Sequence, residues 1–495
     1  MRADKLVGMA AIAALLSACG GDGDSTSSFT AAPPSSSVSV PTPTPTPTTG
    51  NTSNPAQCSL VARQQWVLEE LEEWYLFPAL LDRTVVPSQH STLQSYIDAL
   101  TAPARAEQRD RFFTYVTSIE EENAYYNSGE TAGWGIRLNF SYADGLLVRD
   151  AFEGAPGFEA GLDRGDVITG IGTSAGTIRS IGTIRASGGT QAVQEALGPS
   201  TPGTSRTFRV DQSRRLAGGS PNAIITAVKA DYALQPVSPR FGTEILTAKD
   251  GSEFGYVHLR TFIGSAEEPL LNAFQEFKAA GIERVALDFR DNGGGLVYVG
   301  ALMGDLMGAD KAGQVFTRQS FRPSKAANND EISRFRPLVQ SIAPTSLAII
   351  GTSRTASASE MVANAFPPFL GDDAALIGGN TYGKPVGQIA LDRPACDDRL
   401  RVVAFQVENA DGEGEYYSGL GDTMPVYCRA SEDIFSPLGT ASEAMIAEAG
   451  RFLTGGAAAC SATSAPSHGA NAGRRPETPL PPQPTVAQRD LPGLY

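Results

Sequence analysis

Histidine is scarce in this sequence: only His90, His258 and His468 occur among 495 residues. No His-Glu-x-x-His motif is present, and no group of cysteines and histidines has the spacing of a zinc site. Both absences argue against a metallohydrolase. A catalytic triad would have to use one of the three histidines. His258 lies in a predicted strand, His90 in a helical region and His468 in a polar tail, so none is well placed as a general base.

Positive charge is also in short supply. The chain has 39 lysines and arginines against 54 aspartates and glutamates, which gives a formal net charge of −15. Such a chain repels phosphate backbones and anionic lipid headgroups. We therefore expect no nucleic-acid partner.

The clearest apolar run lies near the start of the sequence, where residues 6–16 follow two basic residues. The run is too short to span a membrane and is typical of an export signal. The letters L-S-A-C that end at Cys19 resemble a bacterial lipobox. This resemblance implies a signal peptide over residues 1–18 and lipidation of Cys19, while an ordinary cleaved signal peptide is the alternative. Gly20, rather than aspartate, follows, which favours an anchor in the outer membrane on the periplasmic side.

Few other cysteines occur: Cys58, Cys396, Cys428 and Cys460. An even number in an exported protein allows two disulfides, and the sequence permits three pairings. We favour Cys396–Cys428, because these residues flank one apparent β-rich stretch. The remaining pair, Cys58–Cys460, would then tie the ends of the folded body together.

The chain divides into segments of different composition. Residues 19–57 and 461–495 are rich in proline and small polar residues, which predicts a disordered tether and a disordered tail. Apolar spacing predicts a small helical unit over residues 58–125. Short apolar runs and glycines predict a β-rich domain over residues 126–235. From residue 236 to residue 460, strands and helices alternate, which is typical of an α/β fold with a mostly parallel sheet.

Three polar motifs follow predicted buried strands of the α/β region, where such sheets usually place their sites. They are D-F-R-D-N-G-G-G at 288–295, T-A-S-A-S-E at 355–360 and T-Y-G-K-P-V-G-Q at 381–388. Each alone has a structural explanation. Ser357 and Glu360 form a capping box, a lone lysine is usually a solvated surface charge, and a run of glycines suits a tight turn.

Two motifs of the β-rich domain, G-W-G-I at 133–136 and A-P-G-F-E-A-G-L-D-R-G-D-V-I at 155–168, resemble a PDZ domain of the kind bacterial proteases carry. The backbone N–H groups of Trp134, Gly135 and Ile136 would hold the C-terminal carboxylate of a peptide that adds as a strand. A β-rich spacer without a ligand is the alternative.

Taken together, the motifs resemble the C-terminal processing proteases, also called tail-specific proteases, over about residues 58–455. The resemblance implies an α/β crotonase/ClpP-like peptidase core, an inserted or preceding PDZ-like domain and the small N-terminal helical unit. It also implies that Ser357 is the nucleophile, with Ser359 a less favoured candidate. Lys384 matches the general base, and Gln388 matches the residue that orients it.

The oxyanion hole implied by the resemblance uses the N–H of Ala358 with that of Gly294, or alternatively of Gly295. Elementary chemistry agrees with these roles. Burial can keep a lysine neutral, a glutamine carbonyl can orient its amine, and a helix start offers free N–H groups. The sequence departs from relatives in a slightly longer spacing between Ser357 and Lys384, and Pro385 stands where glycine is common.

We therefore expect an exported, lipid-anchored serine endopeptidase that recognises polypeptides by exposed C-termini and needs no metal or organic cofactor. A PDZ scaffold with an inactive peptidase-like body is the alternative. An acyl-CoA enzyme of the crotonase type is disfavoured, because coenzyme A is cytosolic. The sequence ends D-L-P-G-L-Y with an apolar terminus, so we also predict that the tail competes with substrate or is trimmed.

Overall fold

The computed structural model describes residues 56–215, 218–461, 480–481 and 484–495. The predicted signal peptide, Cys19, nearly all of the predicted tether and His468 lie outside the described residues. Within the described part, no helix has both the length and the apolar character needed to cross a bilayer.

Several helices begin at a capping side chain; in the first of them, Ser59 Oγ accepts the N–H of Ala62 at 3.3 Å. Over the described residues the α-helices are α1 Leu60–Trp74, α2 Leu93–Leu100, α3 Ala102–Ala106, α4 Ile119–Ser128, α5 Pro156–Glu159, α6 Ile181–Leu197, α7 Glu267–Ala280, α8 Val297–Leu306, α9 Pro323–Asn329, α10 Ala358–Ala365, α11 Pro367–Leu370, α12 Ala444–Gly455 and α13 Val486–Asp490.

The strands of the described residues form three larger sheets and one two-stranded ribbon. They are β1 Tyr115–Ser118, β2 Glu130–Gly133, β3 Ile136–Asn139, β4 Leu146–Ala151, β5 Val167–Gly172, β6 Arg179–Ser180, β7 Ser205–Asp211, β8 Ala223–Val228, β9 Ala230–Ala233, β10 Thr243–Thr247, β11 Glu253–His258, β12 Arg284–Asp288, β13 Val315–Phe321, β14 Glu331–Arg334, β15 Ser346–Gly351, β16 Ala374–Gly378, β17 Val386–Arg393, β18 Asp398–Glu408 and β19 Val426–Arg429.

The central sheet has the order β10-β11-β12-β15-β16-β19. All its pairs are parallel except the edge pair of β10 with β11. Helices α7, α8 and α10 cover one face and α12 covers the other. Every residue of β15 is buried, as expected for a strand with both faces covered. The predicted α/β alternation is confirmed, and the carboxyl ends of β12, β15 and β16 share one edge.

An antiparallel sheet lies beside the central one, with β18 pairing to β1, β13 and β17. Helices α1 and α2 pack on it, for example through Leu71 and Ile97 against Leu400. The predicted N-terminal helical unit therefore shares its apolar core with this sheet, to which it also contributes strand β1.

Residues 136–228 form a smaller domain, named here the small β domain. Its antiparallel sheet has the order β3-β4-β5-β7-β8, and α6 packs on it. The loop before β3 is anchored by the fully buried ring of Trp134, which lies edge-on to Phe208 with 5.0 Å between ring centroids. Strands β2 and β9 pair at the base of the domain.

The favoured disulfide pairing is wrong. The structure joins Cys58 to Cys396 and Cys428 to Cys460, with Cα–Cα distances of 5.4 and 5.3 Å. Cys396 lies in the turn between β17 and β18, beside the start of α1, whereas Cys428 lies in β19 of the central sheet. The two residues that were expected to flank one β-rich stretch therefore belong to different sheets.

The predicted disorder of residues 461–495 is wrong for residues 484–495. Helix α13 begins at a capping box formed by Thr485 and Gln488, and residues 493–495 then lie along β3. Residues 462–479 and 482–483 lie outside the described residues. We name residues 484–495 the docked segment.

Candidate active site

Ser357 occupies the turn between β15 and α10. Its φ of 55° and ψ of −119° are rarely adopted by a residue with a side chain, and such strain is typical of functional turns. Its N–H donates to Glu360 Oε2 at 3.1 Å, and α10 begins at the next residue, Ala358. The strained turn places the serine at the carboxyl edge of the central sheet and at the amino end of a buried helix.

Lys384 lies in the turn between β16 and β17, and its amine is held by Gln388. Nζ donates to Gln388 Oε1 at 2.7 Å, and Gln388 Nε2 donates in turn to the carbonyl oxygen of Phe113. The Phe113 ring centroid is 5.0 Å from Nζ. Burial is the largest influence on the amine and lowers the pKa of Lys384 to about 8.

Ser357 and Lys384 line one small cavity, whose apolar wall includes Val297, Met361 and Val386. Among the hydrogen bonds of the described residues, the amine bonds to Gln388 and not to the serine hydroxyl. Catalytic contacts of this kind are often long in a substrate-free site. The two residues therefore share one site.

Glu360 joins the two halves of this site. Its carboxylate accepts the N–H of Ser357 and, at 2.7 Å each, the N–H groups of Gly383 and Lys384. Burial raises the pKa of Glu360, and these hydrogen bonds act in the opposite direction. The sequence had suggested only a helix cap for this residue. The structure shows that it also fixes the turn that carries the lysine.

Asp110, which the sequence reasoning missed, shapes the wall behind Gln388. Its carboxylate accepts the N–H of Phe113 at 2.7 Å, the hydroxyl of Thr114 at 2.6 Å and the hydroxyl of Tyr75 at 2.9 Å. These bonds fix the Phe113 carbonyl that receives Gln388. Phe113 and Thr114 lie three and four residues further along, as the partners of an ordinary turn aspartate do, and Tyr75 alone comes from a distant part of the chain. Nothing in the local sequence therefore distinguishes Asp110.

The glycine turn after β12 lies against the serine. A Cβ placed on Gly294 would be 2.6 Å from Ser357 Cβ and 3.0 Å from Ala358 N, so the close approach requires glycine there. The Gly294 N–H donates to Asn292 Oδ1 at 2.9 Å. Among the described residues, the N–H groups of Ala358 and Gly295 take no hydrogen bond. Of the two glycines proposed for the oxyanion hole, Gly295 has the free donor.

The competing candidates have structural roles. The buried Ser359 hydroxyl donates to the carbonyl oxygen of Asn292 at 3.1 Å. His258 is buried at the end of β11, and burial lowers its pKa to about 4. Neither residue lines the cavity that holds Ser357 and Lys384.

The predicted carboxylate loop lies at the edge of the small β domain, next to the docked segment. The N–H groups of Trp134 and Ile136 donate to the main-chain oxygen of Tyr495 at 2.9 and 3.3 Å. Gly135 between them has a φ of 66°, and a Cβ there would lie 2.2 Å from Ala155 Cβ. The tight loop therefore directs two of the three predicted N–H groups at a single oxygen.

A strained serine at a helix start, a partly buried lysine oriented by a glutamine, and a glycine turn beside them define a site of the serine-peptidase class. Residues 253–420 match the model of Peptidase family S41, and the chain carries a domain of that family, whose peptidases are serine proteases. The resemblance recognised in the sequence is confirmed.

Two similar proteins are carboxyl-terminal-processing proteases of cyanobacteria. That of Picosynechococcus sp. is 28% identical over 276 residues, which cover 54% of this chain and 58% of the relative. That of Synechocystis sp. is 27% identical, with 52% and 54% covered. The chain thus spans about half the length of the curated relatives it matches.

A solved structure of an S41 protease from Bacteroides fragilis has a TM-score of 0.61 and 22% sequence identity. The match covers 79% of this chain and 97% of that chain. At this identity the comparison shows a shared fold.

Proposed function

We propose that the chain is a serine endopeptidase that acts on polypeptides recognised by their C-terminal ends, with Ser357 as nucleophile and Lys384 as general base. The observation that carries the proposal is the partly buried Lys384 amine, oriented by Gln388 within the cavity that Ser357 also lines. The S41 family domain and the carboxyl-terminal-processing relatives support the same assignment.

In the proposed mechanism, the neutral Lys384 amine takes the proton of Ser357 Oγ as the oxygen attacks the peptide carbonyl carbon. The N–H groups of Ala358 and Gly295 stabilise the resulting oxyanion. The C–N bond then breaks, and the ammonium returns its proton to the leaving amine. Water next loses a proton to Lys384 and attacks the acyl-enzyme ester. The bond between the acyl carbon and Ser357 Oγ then breaks, and the Lys384 ammonium gives its proton to Oγ. The new carboxyl end is released and the serine hydroxyl is restored.

We propose further that the small β domain is PDZ-like, with the loop of Trp134, Gly135 and Ile136 receiving the carboxylate of a substrate. The convergence of two N–H groups on one main-chain oxygen supports this role. The central sheet and its helices would then correspond to a crotonase/ClpP-like core. One polypeptide would then bind to this loop by its C-terminal end and be cleaved at Ser357.

Export and lipid anchoring through Cys19 are also proposed, at the periplasmic side of the outer membrane. The two disulfides support an oxidising compartment. Mass spectrometry of the N-terminal peptide from the native source would test the anchor. A lipid-modified Cys19 is expected, and an unmodified residue at the mature N-terminus would contradict it.

The peptidase proposal is tested by cleavage of an unfolded protein with an apolar C-terminal end, with a metal chelator present throughout. Ser357→Ala and Lys384→Ala should each lower the rate by about 10³-fold or more. Ser359→Ala is the matched control and should retain most activity if it folds. Cleavage that survives in Ser357→Ala would contradict the site. A wild-type chain that binds the protein end without cleaving it would favour the scaffold alternative.

A further inference from the structure

The docked segment adds a strand to the free edge of β3. The N–H of Tyr495 donates to the carbonyl oxygen of Ile136 at 3.0 Å, and that of Leu138 donates to the carbonyl oxygen of Gly493 at 2.8 Å. Together with the two bonds to the Tyr495 oxygen, this forms a short antiparallel ladder. We name this edge, the backbone of residues 134–138, the edge groove.

The side chain of Tyr495 fills a pocket in the core of the small β domain, where only 3% of it remains exposed. Its ring centroid lies 5.5 Å from that of Phe140, and Gln194 Nε2 donates to its hydroxyl at 3.3 Å. The amine of Lys229, buried over the Trp134 ring, lies 6.0 Å from the Tyr495 ring. The pocket thus offers an aromatic wall, a buried lysine amine and a polar partner for a phenol hydroxyl.

The rest of the docked segment fills the space between the small β domain and α4. Four apolar side chains of the segment are buried there: Val486, Ala487, Leu491 and Leu494. They belong to one apolar cluster with Tyr125, Phe152, Tyr232 and Ile263. Buried Gln488 donates to Ser200 Oγ at 3.1 Å and to the Leu494 carbonyl oxygen at 2.9 Å. These partners lie in α4, in the small β domain, in β9 and just after β11, so several separate elements together form the binding site of the segment.

The same segment reaches the glycine turn of the candidate site. The carbonyl oxygen of Asp490 accepts the N–H of Gly293 at 3.2 Å, and its carboxylate accepts the hydroxyl of Tyr126 at 2.9 Å. Burial lowers the pKa of Lys384, and among the charges that raise this pKa the carboxylate of Asp490 has the largest effect. A chain bound in the edge groove therefore reaches the turn beside Ser357 within a few residues.

We infer that the edge groove binds peptide segments that place a tyrosine ring in the pocket of the small β domain, with a leucine before the tyrosine, and that the docked segment is its resident occupant. A substrate must displace residues 484–495 to bind. This inference rests on the proposed function for its effect on cleavage, and the binding experiment below does not depend on that function.

Fluorescence anisotropy with the labelled peptide Arg-Asp-Leu-Pro-Gly-Leu-Tyr, the sequence of residues 489–495, measures occupancy of the groove. The full chain carrying Tyr495→Ala should bind this peptide at least about tenfold more tightly than wild type, because its resident segment has lost the anchoring ring. Val339→Ala, at a residue that is 82% exposed, is the control and should bind like wild type.

Peptide variants test the selectivity on the Tyr495→Ala chain. A peptide ending in alanine should bind at least about tenfold more weakly than one ending in tyrosine. A peptide ending in phenylalanine should lose less affinity than the alanine peptide. When Gln194→Ala is added to the chain, the phenylalanine and tyrosine peptides should bind with equal affinity, because the hydroxyl has lost its hydrogen-bond partner. Equal binding of the tyrosine and alanine peptides would contradict the selectivity. If neither wild type nor the variants bind any of the peptides, the edge groove is not a peptide-binding site.

Hydrogen exchange of the unmodified chain tests the resident occupant without any substitution. The Tyr495 amide should be protected, and an excess of the peptide should remove that protection. Equal peptide affinity of wild type and Tyr495→Ala, or an unprotected Tyr495 amide, would overturn the resident occupant. In cleavage assays the Tyr495→Ala chain should cleave substrate faster than wild type. If neither chain cleaves while the binding pattern holds, the proposed peptidase function fails and the inference stands.

Discussion

At Lys384, burial and charge act in opposite directions. Burial lowers the pKa, Arg401 acts in the same direction, and the carboxylates of Asp490, Asp110 and Glu360 raise it, which leaves a value of about 8. At pH 7 roughly one tenth of the amine is then neutral. This fraction is orders of magnitude larger than that of an exposed lysine, and it comes without a histidine.

The first prediction concerns the pH dependence of cleavage. Only the neutral amine accepts a proton, so kcat/KM should rise with pH and level off above about pH 8. Asp490→Asn removes a charge that favours the ammonium, and it should move the midpoint to lower pH. Lys249→Ala, at an exposed lysine, should leave the profile unchanged. A rate that is flat across the midpoint would contradict Lys384 as the base.

The second prediction concerns Glu360 as a positioning residue. In the wild type, the N–H groups of Gly383 and Lys384 donate to the Glu360 carboxylate. Glu360→Gln replaces one carboxylate oxygen with an NH₂ group, which cannot accept these bonds, so the turn that carries Lys384 should shift. We expect kcat to fall by roughly 10- to 100-fold with KM little changed. Steady-state kinetics measure this split. A stable variant with wild-type kcat would show that Glu360 is only a helix cap.

At the scale of elements, the sequence predicted the strands and helices around the serine closely. The runs that form β12, β15 and β16 are short, apolar and bounded by glycine or polar residues, so their limits are local information. The roles proposed for Ser357 and Lys384 were implied by the family resemblance of the motifs that follow these strands. The parallel order of the strands explains why the motifs meet.

Features that depend on partners from distant parts of the chain were not predictable in this way. Helix α13 has only five residues, and nothing in its sequence reveals the apolar seat that holds it. Asp110 acts through a carbonyl oxygen that belongs to another residue. Cys396 and Cys428 are close in sequence, but Cys396 lies in the β17–β18 turn of the antiparallel sheet and Cys428 in β19 of the central sheet. In each case the tertiary contact, and not the local pattern, decides the structure.

The third prediction compares the two disulfides. Cys58–Cys396 joins α1 to the β17–β18 turn across 338 residues, whereas Cys428–Cys460 spans 32. In the chain-entropy account, the longer loop contributes about 2 kcal/mol more. Cys58→Ser with Cys396→Ser should therefore lower the midpoint of thermal unfolding more than Cys428→Ser with Cys460→Ser. Equal or reversed shifts would show that local packing outweighs chain entropy here.

At the scale of the whole molecule, buried ion pairs connect the small β domain to the rest of the chain. Arg260, just after β11, bonds to Asp150 at 2.8 Å and to Glu153 at 2.7 Å. Arg149 of the small β domain bonds to Asp291 at 2.7 Å. None of these three ion pairs includes a residue of the docked segment.

These pairs make stability depend on acid. Burial alone would raise the pKa of Asp150, but Arg260 outweighs it and holds the pKa at about 2. The pKa of Glu432 is likewise about 2, because Arg149 and Arg164 outweigh burial. Unfolded carboxyls have a pKa near 4. The stabilisation is therefore complete above about pH 5 and is lost as the pH falls towards 2.

The fourth prediction follows from this sign. The midpoint of thermal unfolding should be constant near neutral pH and fall steeply between about pH 5 and pH 3. Arg260→Met leaves the buried Asp150 without its ion-pair partner, whereas Glu153 keeps its pair with Arg240. The variant should therefore be destabilised at neutral pH by about 3–5 kcal/mol and show a weaker acid dependence. Arg83→Met, which breaks an exposed pair with Glu72, is the matched control and should change neither. Calorimetry across this pH range measures both effects. An acid dependence as steep in Arg260→Met as in wild type would show that other carboxylates carry it.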